Sequence, residues 1–295
     1  MTGYFISQLI AAGIIGLLIG GFLNIAIYRL PIMLQNSWRA QCQDYLDLPK
    51  ETPQAKFNLT TPSFHCPQCK HSLLTWQMLP LISYIWLRGK CFYCNHRISW
   101  RYPIVEIFSA VLAVLTFYYF PAVEAWMVML FNSCLLLLII FDIEYRLLVD
   151  VITIPLIWLG LFVNTLGVFT DSKSAILGAM MGYGLPWLVG SVYRYVRKIE
   201  GIGYGDFKLL AAIGAWLGVK WLVIVLLSST LLSFIIVFAI TTIKRKEAKW
   251  FESFSFGPYA IVVSWIMVFW GSSVVHYLVF LGGRFNIPIL GAFAS

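Results

Sequence analysis

Long apolar runs alternate with short polar connections along most of this chain. The first run, from about Tyr4 to Tyr28, is long enough to cross a bilayer, which takes roughly 20 apolar residues. No basic residue precedes it and it is too long for a signal-peptide core, so it is expected to stay as an anchor. A polar stretch, residues 29–101, follows. Beyond it the pattern predicts helices near 102–120, 123–141, 152–170, 174–196, 205–218, 219–243 and 257–281. The breaks fall at Pro121, Asp171, the Gly201–Gly205 stretch, Gly218 and the KRKEAK run at 244–249. The expectation is an all-α polytopic membrane protein of about eight transmembrane helices. It divides into a first helix at 1–28, one sizeable soluble loop domain at 29–101, and a transmembrane domain at 102–295.

Composition agrees: 60% of the 295 residues are hydrophobic and 12% charged, with mean hydropathy +0.81. A soluble domain carries about 25% charged residues, so this chain cannot cover a water-facing surface. The net charge of +8 would suit a nucleic-acid partner, but the Lys and Arg residues fall in the connections, where they report membrane orientation. With the N-terminus outside, the cytoplasmic connections 29–101, 142–151, 194–208 and 244–256 hold 9, 1, 4 and 4 basic residues, together 18 of 21. Lys173, Lys220 and Arg284 remain for the other face, so the soluble loop is placed in the cytoplasm. Gly16 with Gly20, and Gly178 with Gly182, form GxxxG spacings that are read as close helix packing in lipid.

Two C-x2-C knuckles, Cys66–Cys69 and Cys91–Cys94, lie 21 residues apart. That spacing suits a four-thiolate zinc site, closed and therefore structural. Lys70, Arg88, Lys90 and Arg97 stand close enough in sequence to offset the negative charge of zinc with four thiolates. A pair of disulfides is the competing reading, disfavoured in a reducing cytosol. His65, His71 and His96 are read as bystanders, and Cys42 and Cys134 as packing residues. A loop of this size needs a staple, and a metal would provide it.

Two aspartates stand where carboxylates are costly. Asp142 follows the apolar run Cys134 to Phe141, and Asp206 lies in Gly201-Ile-Gly-Tyr-Gly-Asp206-Phe-Lys, with an apolar helix after it. One ends an inward-running span and the other begins an outward-running one, so they can meet at one membrane face. An ionisable residue at membrane depth is a functional candidate. Two carboxylates held a few ångströms apart cannot both ionise and share a proton, the arrangement of aspartic proteases. Gly203 and Gly205 would let an extended substrate backbone lie near Asp206. Pairing of Lys208 with Asp206 as a plain surface ion pair is the competing reading. Asp150 is either an N-cap of the fourth helix or an equal candidate to partner Asp206.

Taken together, Gly21-Phe-Leu-Asn-Ile-Ala-Ile-Tyr-Arg-Leu-Pro31, the paired knuckles, Arg101-Tyr-Pro-Ile-Val-Glu106, Phe141-Asp142, Gly203-Tyr-Gly-Asp206-Phe-Lys208 and Phe256-Gly-Pro-Tyr259 resemble the bacterial type IV prepilin peptidases, bifunctional leader peptidases and N-methyltransferases. The resemblance implies a multi-pass inner-membrane enzyme that removes the leader of prepilins and of type II secretion pseudopilins on the cytoplasmic side. It also implies methylation of the new N-terminus with S-adenosylmethionine as donor. By motif it selects Asp142 and Asp206 as the catalytic pair, and it points to Gly89 and Lys90 for the methyl donor. Val149-Asp150 stands where many members have Pro-Asp. The partners so implied are prepilins and membrane lipid, with no nucleic acid. The runner-up is a proton-coupled transporter using the same aspartates, which would more often show internal repeats and helices broken at mid-membrane. A non-catalytic assembly scaffold is a third reading.

Overall fold

The computed structural model describes residues 2–48, 57–198, 203–244 and 255–284. Its regular secondary structure in these residues is helical apart from two isolated antiparallel bridges in the loop region, where turns and irregular chain prevail. The helices are α1 (Thr2–Tyr45), α2 (Ile82–Trp86), α3 (Arg101–Tyr119), α4 (Ala122–Tyr145), α5 (Asp150–Thr165), α6 (Ser172–Arg197), α7 (Tyr204–Lys244) and α8 (Gly257–Arg284), with a 3-10 turn at Thr75–Met78. By length and composition α1, α3, α4, α6 and α7 suffice to cross a membrane, and α5 and α8 carry shorter apolar stretches. The chain is therefore a multi-pass helical membrane protein. The KRKEAK break beyond Lys244, Gly201 and the 49–56 portion of the loop lie outside the described residues.

Two compact units divide the chain, residues 1–137 and 138–295. In the first, α1 runs past its expected end near Tyr28 to Tyr45, carrying Pro31 inside it. At about 1.5 Å per residue its 44 residues reach roughly twice the hydrocarbon thickness. Hydropathy falls after Tyr28, but loss of hydropathy does not end a helix, and no glycine or capping residue stops this one before Tyr45. Gly16 and Gly20 lie against the α3 backbone, where an added Cβ would come 2.6 Å from the Cα atoms of Ala110 and Glu106, so the GxxxG is a packing surface. Cys42 is exposed at the end of α1 rather than packed, and Cys134 is half-buried in α4.

The second unit is built on α7, which packs against α5, α6 and α8. Gly178 of α6 meets Gly214 of α7 backbone to backbone, and Gly182 meets Leu210, again as packing. Asp171 caps α6 by accepting from the Ser174 N–H at 3.0 Å. Near its middle α7 breaks at Gly218 (φ 83°, ψ 172°), the point where the sequence pattern separates two helices. A Cβ there would fall 2.7 Å from Ser174 Oγ in a left-handed conformation, hence glycine. The break frees backbone groups that a straight helix would pair. Asn164 Nδ2 donates to the released carbonyls of Ala215 and Trp216 at 2.8 and 3.0 Å. Ser174 Oγ takes the Val219 N–H at 3.2 Å. Asn164 Oδ1 accepts from the N–H groups of Phe169 and Thr170 at 3.1 and 3.2 Å, closing the α5–α6 connection with the same side chain. Trp216, 1% exposed, lies against Gly160 of α5 and donates its indole N–H to the Leu156 carbonyl at 2.9 Å. This fixed core positions the N-terminal end of α7, which begins at Tyr204.

Candidate active site and metal centre

Three helix ends of the second unit converge: the C-terminal turn of α4, the first turn of α7 and the start of α8. Asp142 lies one turn before the end of α4 and Asp206 in the first turn of α7, 3% and 9% exposed respectively. The first turn of α8 approaches both. A Cβ on Gly257 would run into Asp142 Oδ2 and stand 3.5 Å from Asp206 Oδ1, so the two carboxylates flank one point of backbone. Gly257 and Gly203 turn their N–H groups toward Asp206. Asp206 Oδ1 is nonetheless buried without a hydrogen-bond partner among the described residues. Ser255 Oγ donates to Asp142 Oδ2 at 2.5 Å. Arg146, one turn on from Asp142, contributes favourable charge.

Asp150 and Lys208 form an ion pair of their own, with Nζ 2.7 and 2.6 Å from the two carboxylate oxygens. The Lys208–Asp206 pairing considered from sequence is therefore replaced, because the next turn of α7 turns Lys208 toward the start of α5. Asp150 is the first residue of α5 and Val149 its cap, one position from the N-cap reading; the carboxylate still sits at the positive helix end. Gly205 does not clear space for a substrate: Leu148 of the α4–α5 connection fills it, and a Cβ would stand 2.8 Å from Leu148 Cβ. A Cβ on Gly203 would stand 3.6 Å from Asp206 Oδ2, an ordinary contact.

In the first unit the four cysteines gather. The Sγ atoms of Cys66, Cys69, Cys91 and Cys94 all lie within 4.8 Å of one another, with Cys66 and Cys94 3.9 Å apart. Tetrahedral zinc with Zn–S near 2.3 Å asks for sulfurs about 3.8 Å apart, so this donor set fits. Each knuckle folds alike. The residue after its second cysteine, Lys70 or Asn95, turns left-handed at φ 56° and returns its N–H to the carbonyl of Cys66 or Cys91 at 2.9 and 3.0 Å. One bridge closes each turn, His65 with Ser72 and Lys90 with Arg97. Burial pushes the Cys91 thiol up, but the N–H groups of Cys94 and Tyr93 and adjacent sulfurs outweigh it and draw it down to about 7. The His96 N–H pulls on Cys94, yet desolvation and three neighbouring sulfurs prevail and push it up to about 11. Four such thiols resist ionising together, and a divalent cation removes that opposition. Among the described residues no histidine joins the cluster; His71 stacks on Tyr93, ring centroids 3.7 Å apart.

Gly89 and Lys90 lead into the second knuckle. Gly89 (φ 67°) closes a turn, donating to the Tyr84 carbonyl at 2.9 Å, while the Tyr84 hydroxyl occupies the space a Cβ would need. Two buried charges unassigned from sequence tie this loop to the helices. Arg29 of α1 donates to the carbonyls of Asn58 and Pro62 at 2.8 and 2.6 Å and lies 4.6 Å from the Phe64 ring centroid. Glu106 of α3 accepts from the Leu81 N–H at 2.8 Å and from Asn24 at 3.3 Å. Their signal was a charge within apolar sequence. Ser255 and Gly257 gave less: nothing local to either residue points to a carboxylate more than a hundred positions away.

Buried paired carboxylates at converging helix ends, in a multi-pass helical chain with a four-thiolate cluster, are the arrangement expected of a membrane-embedded aspartic peptidase. Two family profiles match it: the Bacterial Peptidase A24 N-terminal domain over residues 14–120 and the Type IV leader peptidase family over residues 129–240. The chain belongs to the type IV prepilin leader peptidase family. It is 38% identical over 273 residues, 92% of this chain and 94% of the relative, to the prepilin leader peptidase/N-methyltransferase of Stutzerimonas stutzeri. The protein of the same name from Pseudomonas putida is 40% identical over 92% of both chains. That of Neisseria gonorrhoeae is 37% identical over 87% of this chain and 88% of its own. No solved structure matches.

Proposed function

We propose that this chain is an aspartic endopeptidase of the inner membrane that removes the leader of type IV prepilins and pseudopilins and then methylates the new N-terminal residue. The approach of Asp142 and Asp206 at Gly257 carries this reading. One carboxylate takes a proton from a water molecule as its oxygen adds to the scissile carbonyl, and the other donates a proton to the carbonyl oxygen. The proton is then passed to the departing amide nitrogen as the C–N bond breaks. A prepilin presents an apolar helix in lipid with a charged leader at its cytoplasmic end, and carboxylates at a helix end sit at the depth of that junction. The distribution of basic residues supports a cytoplasmic position for this face. The transporter reading draws no support from the family or from the site.

Zinc held by Cys66, Cys69, Cys91 and Cys94 would be structural, since four thiolates leave no open position. S-adenosylmethionine, when bound, supplies an electrophilic methyl group for transfer to the new terminal amine. The Gly89–Lys90 turn, ordered by Tyr84 and by the second knuckle, is the segment assigned to hold it. Purified protein in detergent or vesicles, given an intact prepilin, tests the peptidase assignment. Asp206→Asn keeps the shape and removes the acid, so cleavage falls by about 10²–10⁴-fold or more. Undiminished cleavage refutes the pair.

A further inference from the structure

A serine holds one of the two carboxylates, and it belongs to neither of their helices. Ser255 precedes α8 by two residues, and its hydroxyl donates to Asp142 Oδ2 at 2.5 Å. The contact is as short as a hydroxyl-to-carboxylate bond becomes, the charge-assisted kind. Asp206 has no counterpart to it: its Oδ1 is buried with no donor among the described residues. The N–H groups of Gly257 and Gly203 turned toward Asp206 favour negative charge there, and they leave that oxygen unbonded. The charged groups that face Asp142 are Asp206 from α7 and Arg146 from its own helix; Lys208, nearby on α7, is engaged by Asp150.

Resting on the peptidase reading, we propose that Ser255 is a positioning residue that orients Asp142 as the acceptor of the pair and leaves the shared proton to Asp206. Asp142 is then the group that takes the proton from water, and Asp206 the acid toward the scissile carbonyl. A shared proton settles on the oxygen that no donor reaches, here Asp206 Oδ1, since a carboxylate receiving a short O–H with an arginine beside it, as Asp142 does, gains more as an anion. Ser255 also ties the start of α8 to Asp142, so the same bond fixes the approach of Gly257 to both carboxylates.

The test uses the full-length purified protein in vesicles with a prepilin substrate, comparing Ser255→Ala and Ser255→Thr with the parent. Ser255→Ala is expected to lower kcat about tenfold with KM unchanged, as for a lost charge-assisted bond. Its loss of activity on acidification should begin at a higher pH, because the anion at Asp142 has lost its donor. Ser255→Thr, which keeps the hydroxyl, should recover kcat and the parental pH profile. Methyl transfer to an already trimmed pilin serves as the measure of folding. Parental kcat and pH profile in Ser255→Ala overturn the proposal. So does a fall in kcat with an unshifted profile, failure of threonine to rescue, or a parallel loss of methyl transfer. If the parent protein itself cleaves nothing, the peptidase reading fails instead, and the two failures are thereby distinguished.

Discussion

Replacing Gly257 with alanine adds a single carbon at the point where both carboxylates approach the α8 backbone. Built on the existing backbone, that carbon collides with Asp142 Oδ2 and stands 3.5 Å from Asp206 Oδ1. Pro258 follows, and a Cβ on the residue before proline disfavours the helical conformation that Gly257 adopts as the first residue of α8. Inserting a methyl into such a site costs about 1–3 kcal/mol. The least costly relief rotates the Asp142 carboxylate away, which breaks its bond to Ser255 and gives up roughly 1.5–3 kcal/mol more. A shift of about 1 Å at a reacting group is worth on the order of 100-fold in rate. The expected result is a fall of roughly 100-fold in kcat for leader cleavage and a Tm lower by several degrees, with methyl transfer to pre-trimmed pilin retained. The control is Gly184→Ala in α6, where a Cβ meets nothing within 4 Å; it should leave cleavage unchanged and Tm equal or slightly higher. Parental cleavage by Gly257→Ala, in protein that elutes and melts normally, would refute the close approach on which the site is built.

Asn164→Ala should lower stability by about 3–5 kcal/mol, because two backbone carbonyls of α7 and two N–H groups after α5 lose their partner at once; calorimetry showing Tm within a degree of the parent contradicts that account. Asp150→Asn releases Lys208 from a pair that is partly open to solvent, so an effect within about twofold on cleavage is expected. A loss as deep as that of Asp206→Asn would make Asp150 part of the chemistry. Cys66→Ser together with Cys69→Ser should take bound zinc, measured by elemental analysis of the purified protein, from stoichiometric to none and expose the loop to proteolysis. Retained metal would remove the four-thiolate assignment.

Much of the architecture was legible because a membrane chain writes its helices in hydropathy. The runs expected at 205–218 and 219–243 emerge as two helical segments of α7 that meet at Gly218, as the glycine between two apolar stretches suggested. The knuckles were legible for a similar reason: a C-x2-C turn is local, and so is its left-handed following residue. The end of α1 was not, since Arg29 to Tyr45 read as the start of a polar loop yet continue the helix. Long-range partners were the other blind spot. Lys208 could be placed near Asp206 from sequence, but only the turn of α7 decides that it reaches Asp150 instead. Ser255 is separated from Asp142 by 113 positions, and no periodicity records that contact.

The corner in α7 has a mechanical consequence. Asn164 and Ser174 pin the pivot from the side, taking the carbonyls of Ala215 and Trp216 and the N–H of Val219. A helix interrupted in this way does not transmit bending along its length. Strain that the surrounding lipid places on the segment beyond Gly218, as when the bilayer thins or thickens, is absorbed at the pivot. The far arm then reaches Asp206 not along α7 but through α8, whose Gly271 lies against Trp221 and whose Gly257 stands between the carboxylates.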